Sequence, residues 1–310
     1  MATGPAVYAC FESKTSTWQY IVADPDTREA VLINSVLDFD LITNSISAEA
    51  ATKTLDVVQR HGLHITKILE THAHADHLTA ATYLQCRLAQ ESHIRPDICI
   101  GKRIREVQSI FAAKYAVNPA EMEGVFDILF NDDEEFTFGQ FEARVVHLPG
   151  KHSPEHVGYI IGDNLFAACT PFNSGTEWGR PDHAQTSSSD LHDSSRRLLS
   201  LPPHYRLYIG YEYPSSPRRG SNPDEASSTY VTVAQLATSN EPFNTAMSMS
   251  NFRQWRKEKE DALQEPKISH HAFQFNVRAG RLPWPTIGGE RFLNIPLRMS
   301  EALEEIMDQR

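Results

Sequence analysis

The sequence predicts an α/β protein built as a four-layer αββα sandwich, in which two β-rich halves are each covered on the outside by helices. Three observations carry this expectation. In the first third of the chain, apolar runs such as WQYIVADP, AVLINSV, ITKILETH and PDICIG alternate with segments of helical period. Beyond Glu134 come consecutive β runs, EEFTFGQFEARVVHLPG, HVGYIIGD and NLFAAC, with no helix between them. A second group of helices then follows, so each sheet has a partner for its outer face.

The elements read in order as follows. WQYIVADP ends in a turn at Asp24 and Pro25, and AVLINSV is the next strand. SAEAATKTLDVVQRHG is a helix with Ser47 at its N-cap, Glu49 in the first turn and Gly62 as its stop. ITKILETH is a buried strand running into a histidine-rich loop, HLTAATYLQCRLAQES the following helix, PDICIG a strand and KRIREVQSIFAAKYA a helix. This strand, polar loop, helix order places ligands at the carboxyl ends of strands. Gly162 and Asp163 make a hairpin turn before NLFAAC. SSSDLHDSSRRLLSLPP is a helix, RLYIGYEY a strand, and the Ser- and Pro-rich PSSPRRGSNPDEASST a long loop. From about residue 214 the chain is a C-terminal extension, with helices around TYVTVAQLATSN and NFRQWRKEKEDALQ and an irregular apolar tail, AFQFNVRAGRLPWP. No internal repeat or long linker divides the 310 residues, so one domain is expected.

Composition narrows the partners. A formal charge of -11 argues against nucleic acid and anionic membranes, both of which the average surface would repel. The N-terminal stretch has no basic region followed by a long apolar run, so neither a signal peptide nor a membrane span is expected, and a cytoplasmic protein is. Cys10, Cys86, Cys99 and Cys169 are irregularly spaced, which suits free thiols in a reducing compartment rather than a disulfide framework. A small-molecule substrate is the partner class that remains.

The strongest chemical signal is ETHAHADH, Glu70 to His77. Here His72, His74, Asp76 and His77 place four metal-binding groups within six residues, in a loop straight after a strand. A chance solvated loop rarely has this composition. The pattern resembles the HxHxDH signature of the metallo-β-lactamase superfamily. The stretches WQYIVADPDTREAVLINSVLDFD, ILETHAHADHLTAATYL, RRLLSLPP and NVRAGRLPWP are similar to its persulfide dioxygenase (sulfur dioxygenase) branch, including the bacterial β-lactamase-like members. The resemblance spans about Tyr8 to Arg298. It implies the αββα sandwich already indicated by the pattern, and it allows a homodimer.

Further site positions follow from the resemblance residue by residue. The family's PGHTPG-type histidine matches His152 in LPGKHSPEHVGY, with Lys151 inserted before it as a rival and His156 nearby. The family's FVGD-type aspartate falls on Cys169 of NLFAACTPF, since Asp163 sits in the preceding hairpin turn. The histidine of a CHDY-type pattern falls on Tyr211 of IGYEY, with Glu212 in place of the aspartate.

These replacements alter the expected chemistry. A mononuclear iron oxygenase needs two histidines and a carboxylate, and the position of that carboxylate is occupied by a thiol. Imidazole with thiolate suits zinc. The resemblance therefore implies two zinc ions, one on His72, His74 and His152 and the other on Asp76, His77 and Cys169, although Cys169 could equally be a core residue and leave one metal. Tyr211 either donates its phenol to a tetrahedral intermediate or fills the space of a histidine. Arg180 of EWGRPDH either positions substrate or pairs with Asp182.

The expected function is a metal-dependent hydrolase that opens a small cyclic amide or ester of the lactam or lactone type, a reaction suited to detoxifying xenobiotics. Metal-bound hydroxide would attack, with Asp76 orienting it. An iron-dependent dioxygenase acting on glutathione persulfide is the alternative. A degenerate, non-catalytic metal-binding member is a third, against which the intact His72 to His77 cluster stands.

Overall fold

The computed structural model describes residues 4–149, 153–169, 187–211, 229–239, 247–260, 266–300, 303 and 306–307. Its first half comprises β1 (Ala6–Glu12), β2 (Thr17–Ala23), β3 (Glu29–Ile33), β4 (Val36–Asp40), β5 (Ser45–Ser47), α1 (Glu49–His61), β6 (His64–Leu69), β7 (Leu78–Thr79), α2 (Ala81–Ser92), β8 (Asp97–Gly101), α3 (Ile104–Lys114), a 3-10 turn (Pro119–Met122) and β9 (Ile128–Phe130). The second half comprises β10 (Glu135–Phe138), β11 (Phe141–His147), β12 (Val157–Ile161), β13 (Asn164–Cys169), α4 (Ser188–Leu199), β14 (Arg206–Ile209), β15 (Tyr230–Thr232), α5 (Val233–Ser239), α6 (Met249–Glu260) and α7 (Ser269–Asn276).

Two six-stranded sheets result, ordered β1-β2-β3-β6-β8-β9 and β10-β11-β12-β13-β14-β15, beside a small sheet of β5-β4-β7. Alternation along each strand sorts side chains into three apolar layers. From β3, Ala30 and Leu32 face α1, α2, α3 and α7, whereas Val31 and Ile33 face the other sheet. From β12, Tyr159 and Ile161 join that central layer, and Ile160 turns outward to Leu191 and Leu198 of α4, Leu236 of α5 and Phe252 of α6. The order is therefore helices, sheet, sheet, helices, which is the αββα sandwich expected from the pattern. Strands buried on both faces read as continuous apolar runs, which is why β2 and β3 were conspicuous in the sequence. Cys86 is exposed and Cys10 half-buried, and Cys99 lies in the central layer, where burial pushes its pKa up.

Several expectations need correction. Ser47 does not cap α1; it ends β5, and Ala48 at the cap position makes no side-chain bond. The carboxylate of Asp38 in β4 accepts from the Ala50 N–H instead (2.8 Å), a cap supplied from a neighbouring strand. Gly62 does stop the helix, in the left-handed conformation, as expected. The next helix starts at Ala81 rather than His77, because Leu78 and Thr79 pair with Leu37 and Val36 of β4. TYVTV opens as an edge strand paired with β14 before α5 begins. The supposedly irregular AFQFN is helix α7: Phe273 stacks on Phe111 at 4.6 Å, and burial overrides weak aromatic helix propensity. Strand β1, absent from the sequence reading, pairs along its whole length with β2.

Asp38 provides a test of the borrowed cap. Burial alone would raise its pKa, but the Ala50 N–H bond and Lys14, whose ammonium lies 2.8 Å away, outweigh that and lower it. A depressed carboxylate pKa gives stability present above the unfolded value and lost as pH falls through the folded one. Asp38→Ala should therefore cost about 1–2 kcal/mol at neutral pH. In urea denaturation the gap to wild type should shrink below about pH 4.

A candidate metal centre at the sheet ends

The histidine loop leaves the carboxyl end of β6, at the edge where the two sheets meet. Tyr159 of β12 donates its phenol to the Glu70 carbonyl (2.7 Å), the Val157 N–H bonds the Thr71 carbonyl (2.9 Å), and the Glu155 carboxylate accepts from the Ala73 N–H (3.1 Å). The second sheet thus fixes the backbone on both sides of His72. From the first sheet, Asn34 stands just beyond β3 at φ 54°, a left-handed conformation that asparagine tolerates. Its Oδ1 accepts from the Thr71 N–H (3.1 Å) and the Thr71 hydroxyl (3.0 Å).

These bonds decide the histidine tautomers. A backbone N–H can only donate, so the Asn34 atom facing Thr71 is an oxygen, and His74 Nε2, 3.2 Å from the same atom, must bear the proton. The Glu70 carboxylate, 4.0 Å from Nε2, agrees with that assignment. His74 therefore presents the Nδ1 lone pair to the site. Since the Thr71 hydroxyl donates to Asn34, His72 Nδ1 at 2.9 Å donates to Thr71, and the lone pair of His72 is on Nε2. His77 Nδ1 donates to Asp76 Oδ1 (3.2 Å), leaving a lone pair on its Nε2. His156 Nε2 donates to the Ala167 carbonyl (2.7 Å). The imidazoles of His156, His72, His74 and His77 form one column, with successive ring centres 4.5, 4.0 and 4.2 Å apart.

One atom each from His74, Asp76 and His77 lies within 4.8 Å of the others. Ligand atoms about 2.0–2.2 Å from one cation stand up to about 4.4 Å apart, so small torsional changes complete the set. Asp76 Oδ2 and His77 Nε2 are buried and have no hydrogen-bond partner among the described residues. Buried polar atoms are ordinarily satisfied, and a divalent cation is the group that this donor set fits. Glu70, fully buried behind the loop, accepts from the Thr79 hydroxyl (2.6 Å). Burial pushes its carboxyl up to about 7, against the opposing effects of Thr79, His77 and Ser35.

Tyr211 comes to the same place. Its phenol lies 2.7 Å from His74 Nδ1 and 3.3 Å from Asp76 Oδ1, and the residue is 5% exposed. A close approach of β13 and β14 puts it there: a Cβ on Gly210 would lie 2.6 Å from the Ala168 backbone, so only glycine fits before Tyr211. Trp18 N–H bonds the Gly210 carbonyl (2.8 Å) and Thr17 bridges to Tyr211, joining the two sheets at this point. His72, His74, Asp76, His77 and Tyr211 are thus brought together. His152 and Arg180 lie outside the described residues. Cys169 ends β13 with its backbone registered on Ile209, two residues before Tyr211; its side chain also lies outside the described set.

The sequence reading missed Asn34, Glu155 and Asn276. Asn276, at the end of α7, donates from Nδ2 to the His74 and His77 carbonyls (2.8 Å each) and accepts from the Thr79 N–H (2.8 Å). Nothing local to the sequence marks it, because its partners lie about 200 residues earlier. Asn34 carried one faint signal, a polar Asn-Ser pair interrupting an apolar run.

Comparison with known proteins defines the class. Residues 15–210 match the metallo-beta-lactamase superfamily, and the chain belongs to it. Relatives within it carry hydrolase names. The chain is 34% identical over 301 residues to the beta-lactamase hydrolase-like protein of Agrobacterium fabrum, covering 97% of this chain and 66% of that protein, so it spans about two thirds of this relative. It is 31% identical over 300 residues to a probable metallo-hydrolase of Burkholderia pseudomallei, covering 93% and 97% of the two chains. The mitochondrial persulfide dioxygenase of Bos taurus is 26% identical over 204 residues, 66% of each chain, in line with the resemblance seen in the sequence. The crystal structure of ETHE1 from Myxococcus xanthus has the same fold, with a TM-score of 0.66 at 23% identity over 89% of this chain and 100% of that one. Among the described residues, no helix is long and apolar enough to cross a membrane.

Asn276→Ala should leave the sheets intact while loosening the loop that carries His74 and His77. We expect zinc affinity, measured by chelator competition, to fall about 10–100-fold with an unchanged circular dichroism spectrum.

Proposed function

We propose that this chain opens a small cyclic amide or ester of the lactam or lactone type by hydrolysis. In this reading two zinc ions are held by His72, His74, Asp76, His77, His152 and Cys169, and substrate lies against Tyr211 and Arg180. When bound, zinc polarises a carbonyl and makes a water acidic enough to attack it at neutral pH.

The observation that carries the reading is the Tyr211 phenol, buried 2.7 Å from His74 Nδ1 and 3.3 Å from Asp76 Oδ1. By the family pattern a ligand histidine would stand here, and this chain offers a proton donor instead. A buried phenol can donate to an oxygen as it gains negative charge, with no rearrangement during the reaction. Asp76, which accepts from His77 and lies 3.3 Å from the Tyr211 phenol, can orient the attacking water and take its proton. His72 and His74, each with its distal nitrogen fixed by Thr71 or Asn34, supply oriented lone pairs. The names of the Agrobacterium and Burkholderia relatives support hydrolysis. The persulfide dioxygenase relative supports an iron enzyme acting on glutathione persulfide as a second reading, but the thiol at position 169 removes the carboxylate that such a site needs. Ring opening of a xenobiotic heterocycle in the cytoplasm is the role that fits the hydrolytic reading.

Two measurements test it. Tyr211→Phe should keep its zinc and its KM while kcat on a responsive lactam or lactone falls about 100-fold; an unchanged kcat would reduce Tyr211 to a space-filler. Metal analysis should find about two zinc per chain, with one lost in Cys169→Ser. One iron per chain with oxygen uptake on glutathione persulfide would sink the hydrolase.

A further inference from the structure

A phenol buried in an apolar layer is costly unless it donates a hydrogen bond. Two tyrosines of the layer between the sheets cross it in opposite directions. Tyr159, from β12 of the second sheet, donates to the Glu70 carbonyl just past β6 of the first, where the metal loop begins (2.7 Å). Tyr20, from β2 of the first sheet, donates to the Ile209 carbonyl at the end of β14 of the second (2.5 Å). The Tyr20 side chain is buried, with its ring centre 5.3 Å from those of Phe166 and Tyr208. Phenylalanine would fill the same space, so the bond to Ile209 is what the hydroxyl adds.

Ile209 lies where the backbone on the far side of the site departs from regular pairing. Strands β13 and β14 are in register as far as Phe166 and Tyr208; pairing resumes with Cys169 on Ile209, so Ala167 and Ala168 form a bulge. Ala168 is left-handed, with φ 45°, an uncommon state for alanine that persists only where its surroundings hold it. The bulge reaches both sides of the site. The Ala167 carbonyl accepts from His156, whose ring stacks on His72 at 4.5 Å, and Ala168 packs against Gly210, the residue before Tyr211. Strand β2 ties down the three residues that pass the bulge: Tyr20 holds the Ile209 carbonyl, the Trp18 N–H the Gly210 carbonyl, and Thr17 bridges to Tyr211. Only the first of these ties is made by a side chain.

We propose that Tyr20 is a positioning residue for Tyr211. By holding the Ile209 carbonyl it sets the end of β14, and with it the reach of the Tyr211 phenol to His74 Nδ1 (2.7 Å) and Asp76 Oδ1 (3.3 Å). Without the Tyr20 hydroxyl the Ile209 carbonyl turns toward another donor, and the peptide units leading to Tyr211 turn with it. A phenol displaced by about an ångström no longer reaches both partners. The consequence for turnover rests on the hydrolytic reading above; the consequence for geometry does not.

The test uses the full zinc-loaded chain with ¹³C at the hydroxyl-bearing ring carbon of every tyrosine, the Tyr211 resonance being assigned by its loss in Tyr211→Phe. Tyr20→Phe should shift that resonance. 3-Fluorotyrosine at position 20, which keeps the shape and donates more strongly, should shift it as well, so the test stands even where Tyr20→Phe fails to fold. On a responsive lactam or lactone, Tyr20→Phe should lower kcat about 10-fold at unchanged KM, a split that a loss of stability alone does not produce. A Tyr211 resonance that neither substitution moves overturns the proposal. A moved resonance with kcat unchanged upholds Tyr20 as the positioning residue and removes Tyr211 from the reaction.

Discussion

The metal loop depends on one buried acceptor, the Oδ1 of Asn34. It receives the Thr71 N–H, the Thr71 hydroxyl and His74 Nε2–H together, and so fixes which nitrogen of His72 and of His74 carries a proton. Among these buried side chains, an imidazole in the other tautomer would aim an N–H at the place where a bound cation would sit. The same residue sets the backbone: its own N–H bonds the Leu69 carbonyl (3.1 Å), holding the ends of β3 and β6 level as the loop departs.

Around that acceptor the rest of the molecule works as a frame in three parts. The first sheet supplies the loop and Asn34. The second braces it through Tyr159, Val157 and Glu155, and brings Tyr211 to it through the close approach of Gly210 to Ala168. Helix α7, from the C-terminal extension, binds it from the remaining side through Asn276. A loop of two histidines, an aspartate and a third histidine cannot bury itself, since its backbone polar groups would go unsatisfied. Each carbonyl and N–H named here finds its partner on an element remote in sequence.

Much of the fold was legible because its strands are buried on both faces and its first helices are amphipathic. Strong period-2 and period-3.6 patterns survive tertiary packing. The misreadings share a cause: Ser47, Leu78 and the AFQFN segment obey partners that local pattern does not reveal, namely Asp38, β4 and the aromatic cluster at Phe111. The site divides in the same way. His72, His74, Asp76 and His77 stood out because four metal-binding side chains fall within six residues of one short loop.

By itself the sequence determined the sandwich and the superfamily and singled out the candidate metal-binding loop, since these follow from periodicity and from a dense local motif. It also raised two possibilities for Tyr211, as donor or as filler. Only the tertiary structure decided where that phenol lies, how the histidines are protonated, and that a helix about 200 residues downstream clamps their loop. Hydrogen-bond direction and long-range contact belong to three-dimensional proximity, which residue order does not encode locally.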